Sequence, residues 1–195
     1  MNVSRPFCLL DFFVPRRYHC ATGHTRRRQT YSPDPRIIIQ DPENTPHRKG
    51  GTVILNPKAW SAVKEVIHHS IGWAMDKDVD LLYRSVARDA DFFIFHPDSR
   101  STIRGFKAFQ GMVEKVFMND AFKATGFDVR DLAITFSESG SVAWFSAILD
   151  DYGEWDGTPS SWTDTRWTGV LEKRDAGWVI VQMHFSFASD SMEET

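Results

Sequence analysis

Cysteine is nearly absent: Cys8 and Cys20 are the two in the chain, and both fall within the first fifty residues. Everything after residue 50 is thereby excluded from disulfide cross-linking and from thiolate metal binding. Cys20 with His19 and His24 matches no zinc-ligand spacing, so no metal site is expected. Long apolar runs are missing too. Nothing approaches the roughly 18 uninterrupted residues of a membrane span, so a soluble protein without membrane contact is expected, with the cytoplasm as its compartment. Positive charge is short where a nucleic-acid partner would need it. Residues 1–50 hold nine of the 23 Lys/Arg and four of the 26 Asp/Glu, which leaves 14 against 22 from residue 51 onward. An acidic body lacks the electrostatic footprint of a nucleic-acid binder.

What the chain does have is aromatic mass. Fifteen Phe and seven Trp in 195 residues, 42% of them hydrophobic, suffice for one domain with a sizeable core and not for two. Ahead of it lies a basic segment. Its apolar run at 7–14, FCLLDFFV, is short and broken by Asp11, and the arginines follow the run, whereas a secretory signal places basic residues first. The Arg-rich, acid-poor composition also fits a transit segment, but a disordered leader is the preferred reading. The expected division is therefore a leader at 1–50, a domain at 51–190 and a tail at 191–195.

Within the domain, Asn56-Pro57 supplies a capping side chain and then Pro at the first helical position. Trp60, Val63, Ile67, Ile71 and Ala74 follow at helical spacing, which predicts an amphipathic helix over 57–76, and Val79 to Val86 a short second one. ADFFIF at 90–95 is a strand that stops at His96-Pro97, because Pro cannot donate to a ladder. Residues 105–117 return to helical spacing through Phe106, Phe109, Met112, Val113 and Phe117. After that the pattern is β, near 127–137, 141–150, 163–173 and 178–188. Helices followed by sequential strands make an α+β arrangement, with the helices on one face of a curved antiparallel sheet.

The last strand carries GWVIVQMHFSF, where Gln182, His184 and Ser186 recur at every second position. Asp175-Ala176-Gly177 and Glu138-Ser139-Gly140 are read as three-residue hairpin loops with Gly in the left-handed region. The first of these pairs Val170 with Gln182, Thr168 with His184 and Arg166 with Ser186, so the polar row is two strands wide. Trp167, Gly169, Leu171, Val179, Val181, Met183, Phe185 and Phe187 form the opposite face, expected to lie under the helices. For the earlier hairpin the expected inward set is Ile134, Phe136, Val142, Trp144, Ser146 and Ile148. The polar row then faces outward, where it is solvated, covered by a second subunit, or catalytic. The loop at 150–162, with Asp150, Asp151, Glu154 and Asp156 among Tyr152, Trp155 and Trp162, reads as a solvated hairpin end; it has no calcium-loop spacing. His68 and His69 are adjacent on a helix and cannot chelate together.

This order of elements, with HPDSRSTIRG between strand and helix and W-x-I-V-Q-M-H-F-S at the end, resembles the nuclear transport factor 2-like superfamily in its SnoaL-like branch, over about residues 56–188. RDAGWVIVQMHFS is similar to the end of the association domain of calcium/calmodulin-dependent protein kinase type II. The resemblance implies a cone-shaped fold, a curved sheet wrapped around a long N-terminal helix, a small-molecule cavity and a homodimer through the sheet. That superfamily holds isomerases, dehydratases, binding proteins and oligomerisation modules, so function must come from the site.

Carried over residue by residue, the association domain's pocket arginines fall on Ser146, Gly169 and Phe185. The carboxylate base of the ketosteroid isomerases falls on His96, with the oxyanion donors near Ser70 or Ile71 and near Gly169. A base without its oxyanion hole lacks the largest electrostatic contribution to such a reaction. His96 is therefore the candidate acid/base, a neutral imidazole if desolvated, with Asp98 to orient it. The expected pocket wall is Trp73, Phe93, Phe95, Phe109, Phe117, Trp144, Ser146, Trp167, Gly169, Met183 and Phe185, and no cofactor is expected. Arg166, Thr168, Gln182, His184 and Ser186 form the expected subunit contact. Two functions compete: binding of a small, mostly apolar molecule with isomerase- or dehydratase-like chemistry at His96, and a non-catalytic oligomerisation or scaffold role.

Overall fold

The computed structural model describes residues 57–97 and 102–188, all within one unit, Val53–Thr195. The basic leader, Asn56 and the C-terminal tail lie outside the described residues. Helix α1, Pro57–Gly72, buries Val63, Ile67 and Ser70, and Ser70 Oγ donates to Ile67 O at 2.8 Å, so the one polar side chain of the stripe is satisfied. Trp60 is only half-buried, with Lys64 Nζ 5.4 Å from its ring. A 3₁₀ turn, Trp73–Met75, continues the chain, and Asp78 then caps α2, Val79–Ser85, by accepting from Leu81 N at 2.9 Å. After α2 come β1, Phe93–Phe95, and β2, Ile103–Arg104. Helix α3, Phe106–Met112, runs into a π turn, Val113–Phe117, and together they bury Phe109, Val113 and Val116.

The rest is sheet: β3, Phe122–Phe136; β4, Val142–Trp155; β5, Thr158–Pro159; β6, Trp162–Arg174; and β7, Gly177–Ser186. The order across it is β2-β1-β7-β6-β4-β3, with β5 folded onto β4. Every pairing is antiparallel except β1 with β7, which is parallel, so the sheet is mixed and not the wholly antiparallel one expected. It curls into a half-barrel. Irregularities in β3 at Ala124/Gly126 and Arg130/Ala133 are positions where so long a strand bends. Helix α1 packs on the inner face against β3 and β7.

The faces of the final hairpin follow the sequence reading only in part. Val170 opposes Gln182, Thr168 opposes His184 and Arg166 opposes Ser186. Trp167, Gly169, Leu171, Met183 and Phe185 are buried on the inner side. The loop, however, has two residues and not three: Arg174 pairs with Gly177, and an extra residue, Val181, restores the register before Gln182. Trp178 and Ile180 are therefore the buried side chains below that bulge, in place of Val179 and Val181.

The β3–β4 hairpin keeps Ile134 and Phe136 on the inner face as expected but reverses the β4 half of the reading, Val142, Trp144, Ser146 and Ile148. Ser137 N donates to Val142 O at 2.8 Å, which makes a four-residue loop of 138–141. Phe136 then faces Ala143 and Ile134 faces Phe145. Ala143, Phe145, Ala147 and Leu149 are buried, while Trp144 and Ser146 stand on the outer face, Trp144 46% exposed. One residue of loop length reverses every side chain of a strand.

Candidate functional site

The inner face is packed at its middle. Trp167, with no exposed surface, stacks on Phe185 at 5.7 Å and takes the edge of Phe145 at 4.8 Å. A Cβ on Gly169 would stand 2.5 Å from Phe145 Cε1 and 2.8 Å from Gln182 O. No arginine or aspartate fits there, and Ser146 is on the wrong face. At Gly169 the carried-over polar group is thus excluded by packing as well as by residue type.

The polar groups gather at the end of the sheet where β1 stops and β6 begins. His96 follows β1 and sits edge-on to Trp162 at 5.5 Å and to Phe185 at 6.0 Å. Asp98 lies outside the described residues. From α1, His68 meets the edge of Phe127 at 6.2 Å; burial first, then the neighbouring Lys64 and His69, lower its pKa below the ordinary value. His69 turns the other way, 3.8 Å from Glu65.

Phe127 and Trp162 share a neighbour that the sequence reading placed in a solvated loop. Strand β4 does not stop at residue 150. It runs on to Trp155 and turns through Asp156-Gly157, with φ of 48° and 73°, the backbone that a two-residue hairpin loop requires. Ser160 N then donates to Gly153 O at 2.8 Å. Along β4, Ala143, Phe145, Ala147, Leu149 and Asp151 share one parity, so Asp151 falls on the inner row, between Phe127 of β3 and Trp162 of β6. Desolvation alone pushes its carboxyl up to about 6, and among the described residues no hydrogen bond or ion pair engages it. The next two inner rungs, Leu149/Thr165 and Ala147/Trp167, carry Thr165 Oγ1 and Trp167 Nε1, both buried and without a partner among the described residues.

The adjacent carboxylate behaves oppositely. Asp150 points outward, receives Arg130 Nε and Nη2 at 3.0 Å each and Asp164 N at 2.7 Å, and is held below the usual carboxylate range by Arg130 first. Arg130 also donates to Asp164 at 2.8 Å.

Of the expected pocket wall, Trp73, Phe109, Trp167, Gly169, Met183 and Phe185 are buried and Phe117 partly so, with Trp73 and Phe117 edge to face at 5.5 Å. Phe93 and Phe95 are not with them: they pair with Gln182 and His184 on the outer face, as Trp144 and Ser146 pair with Val170 and Thr168. Arg166, Thr168, Gln182, His184 and Ser186 all stand on that outer face, and Phe95 meets His184 at 5.9 Å. Among the described residues no group of three His, Cys, Asp or Glu side chains could hold a metal ion.

Residues 63–190 match the family described as the SnoaL-like domain, well over half of the chain. The chain belongs to that family. The SnoaL-like domain has no match among curated proteins. Solved structures share its fold. A nuclear transport factor 2-like superfamily protein from Salmonella enterica serovar Typhimurium is 21% identical with a TM-score of 0.61, over 71% of this chain and 98% of that one. A candidate ketosteroid isomerase from Shewanella frigidimarina is 21% identical, TM-score 0.51, over 66% and 97%. A candidate calcium/calmodulin-dependent kinase II association domain from Exiguobacterium sibiricum is 10% identical, TM-score 0.54, over 68% and 95%. At these identities the likeness shows the nuclear transport factor 2-like fold alone. No helix among the described residues of the SnoaL-like domain is long and apolar enough to cross a membrane.

Proposed function

We propose that this SnoaL-like domain binds a small, mostly apolar molecule between α1 and the end of the inner sheet face, with acid/base chemistry at His96. The observation that carries the reading is the wall itself. Phe127 meets His68, Trp162 and Phe185 meet His96, the 48%-exposed Phe187 meets Trp162, and Phe127 and Trp162 flank Asp151 on the neighbouring strands. A mostly apolar surface with a few convergent polar groups is the usual form of a small-molecule site. The solved structure described as a candidate ketosteroid isomerase agrees with small-molecule chemistry on this fold. A thermal-shift screen of small ring compounds tests it. Hits whose shift disappears in His96→Ala support the reading, and hits unaffected by that change remove His96 from it.

A second reading, assembly through the outer face, rests on Trp144 and Phe95, 46% and 39% exposed beside the row Arg166, Thr168, Gln182, His184 and Ser186. Exposed aromatic side chains around a polar row suit a subunit contact. The likeness to a candidate association domain points the same way.

A further inference from the structure

We propose that Asp151 anchors a positively charged nitrogen, so that the ligand of the inner face is a primary or secondary amine borne on an aromatic or aliphatic body. This rests on the inner-face reading above and names the polar end of its ligand.

Four observations lead there. Asp151 occupies the inner row of β4 behind Phe145, Ala147 and Leu149, a row otherwise apolar. Among the described residues no Lys or Arg accompanies it, whereas Asp150 beside it holds Arg130 through two hydrogen bonds. An ionised carboxylate partly withdrawn from water is favoured by a partner, and the described residues supply none. On either side stand aromatic rings, Phe127 and Trp162, whose faces attract a cation that the carboxylate also attracts. One rung further in, Thr165 Oγ1 is buried and has no partner among the described residues, so it can accept a second N–H of the same nitrogen. An anionic ligand would be repelled by Asp151. A neutral alcohol or ketone would leave the ionised carboxylate without a counter-ion.

The titratable neighbours are His68, which approaches through Phe127 from α1 with Lys64 a turn behind it, and His96, which approaches through Trp162. Their protonation at low pH would also weaken an amine, so the experiment separates them from Asp151. The full chain is titrated with 2-phenylethylamine and with its neutral counterpart 2-phenylethanol at pH 5 and pH 7.5, by calorimetry.

With the carboxyl titrating at about 6, its ionised fraction rises from roughly a tenth at pH 5 to nearly all at pH 7.5, so the amine should bind about tenfold tighter at the higher pH. The alcohol should show no such gain. Asp151→Asn, close in shape and free of the buried charge, should abolish the amine's pH dependence and weaken it at least tenfold at pH 7.5, while the alcohol binds at least as tightly as before. Alcohol binding as tight as amine binding at pH 7.5 overturns the inference and leaves the inner-face reading standing. A pH dependence that survives in Asp151→Asn overturns it in favour of the histidines. Binding of neither compound overturns both.

Discussion

Asp150 and Asp151 are consecutive residues with opposite fates, because a strand sends alternate side chains to opposite faces. The outward carboxylate meets Arg130 and is stabilised as an anion; the inward one meets apolar wall and is destabilised as one. Each has its own consequence for stability against pH. Asp150, depressed in the fold, contributes stability above the usual carboxylate pKa that is lost as pH falls through its folded value. Asp151 is raised from 3.8 to about 6, so its cost is fully present above pH 6 and is relieved as pH falls toward 4. Asp151→Asn is expected to stabilise the domain at pH 7.5 by up to about 3 kcal/mol, with the gain vanishing near pH 4. Urea unfolding at the two pH values measures it, and an equal gain at pH 4 would remove desolvation as the cause.

At the scale of elements, glycine gives two predictions of opposite sign. Gly169→Ala forces a methyl group against Phe145 and the Gln182 carbonyl and should destabilise by about 1–3 kcal/mol. Gly111→Ala, in α3 with nothing within 4 Å of the added carbon, should stabilise by about 0.5–1 kcal/mol through helix propensity. Chemical denaturation of both variants checks the pair. The elements themselves were legible in the sequence, since the period of Val63 and Ile67 differs from that of Met183 and Phe185. Loop length was not legible. Glu138-Ser139-Gly140 looks like a complete three-residue loop, but Ser141 joins it, and that one residue puts Phe145 inside in place of Trp144. The same one-residue error at Asp175-Ala176-Gly177 did no lasting damage, because the bulge at Val181 cancels it before Gln182. Asp151 is hard to read for a related reason: its acidic neighbourhood suggests solvent. The signal that finds it is parity with Ala143, Phe145, Ala147 and Leu149, which counts only once the loop is known.

For the whole molecule, the outer face decides between a monomer and an assembly. Light scattering of the full chain is expected to give a dimer, and His184→Glu or Trp144→Glu, both surface changes, should return it to a monomer with the fold intact. A monomeric wild type would remove the subunit contact as the reason for the polar row. The parallel pairing of β1 with β7 joins segments nearly ninety residues apart, Phe93 with Gln182 and Phe95 with His184. During synthesis α1 and β1 leave the ribosome before β7, the last of the described strands, on which β1 and part of α1 are seated. Val63 and Ile67 must therefore wait uncovered until the meander behind them has zipped, which makes closure of the N-terminal segment a late folding event and that waiting helix the natural target of a chaperone.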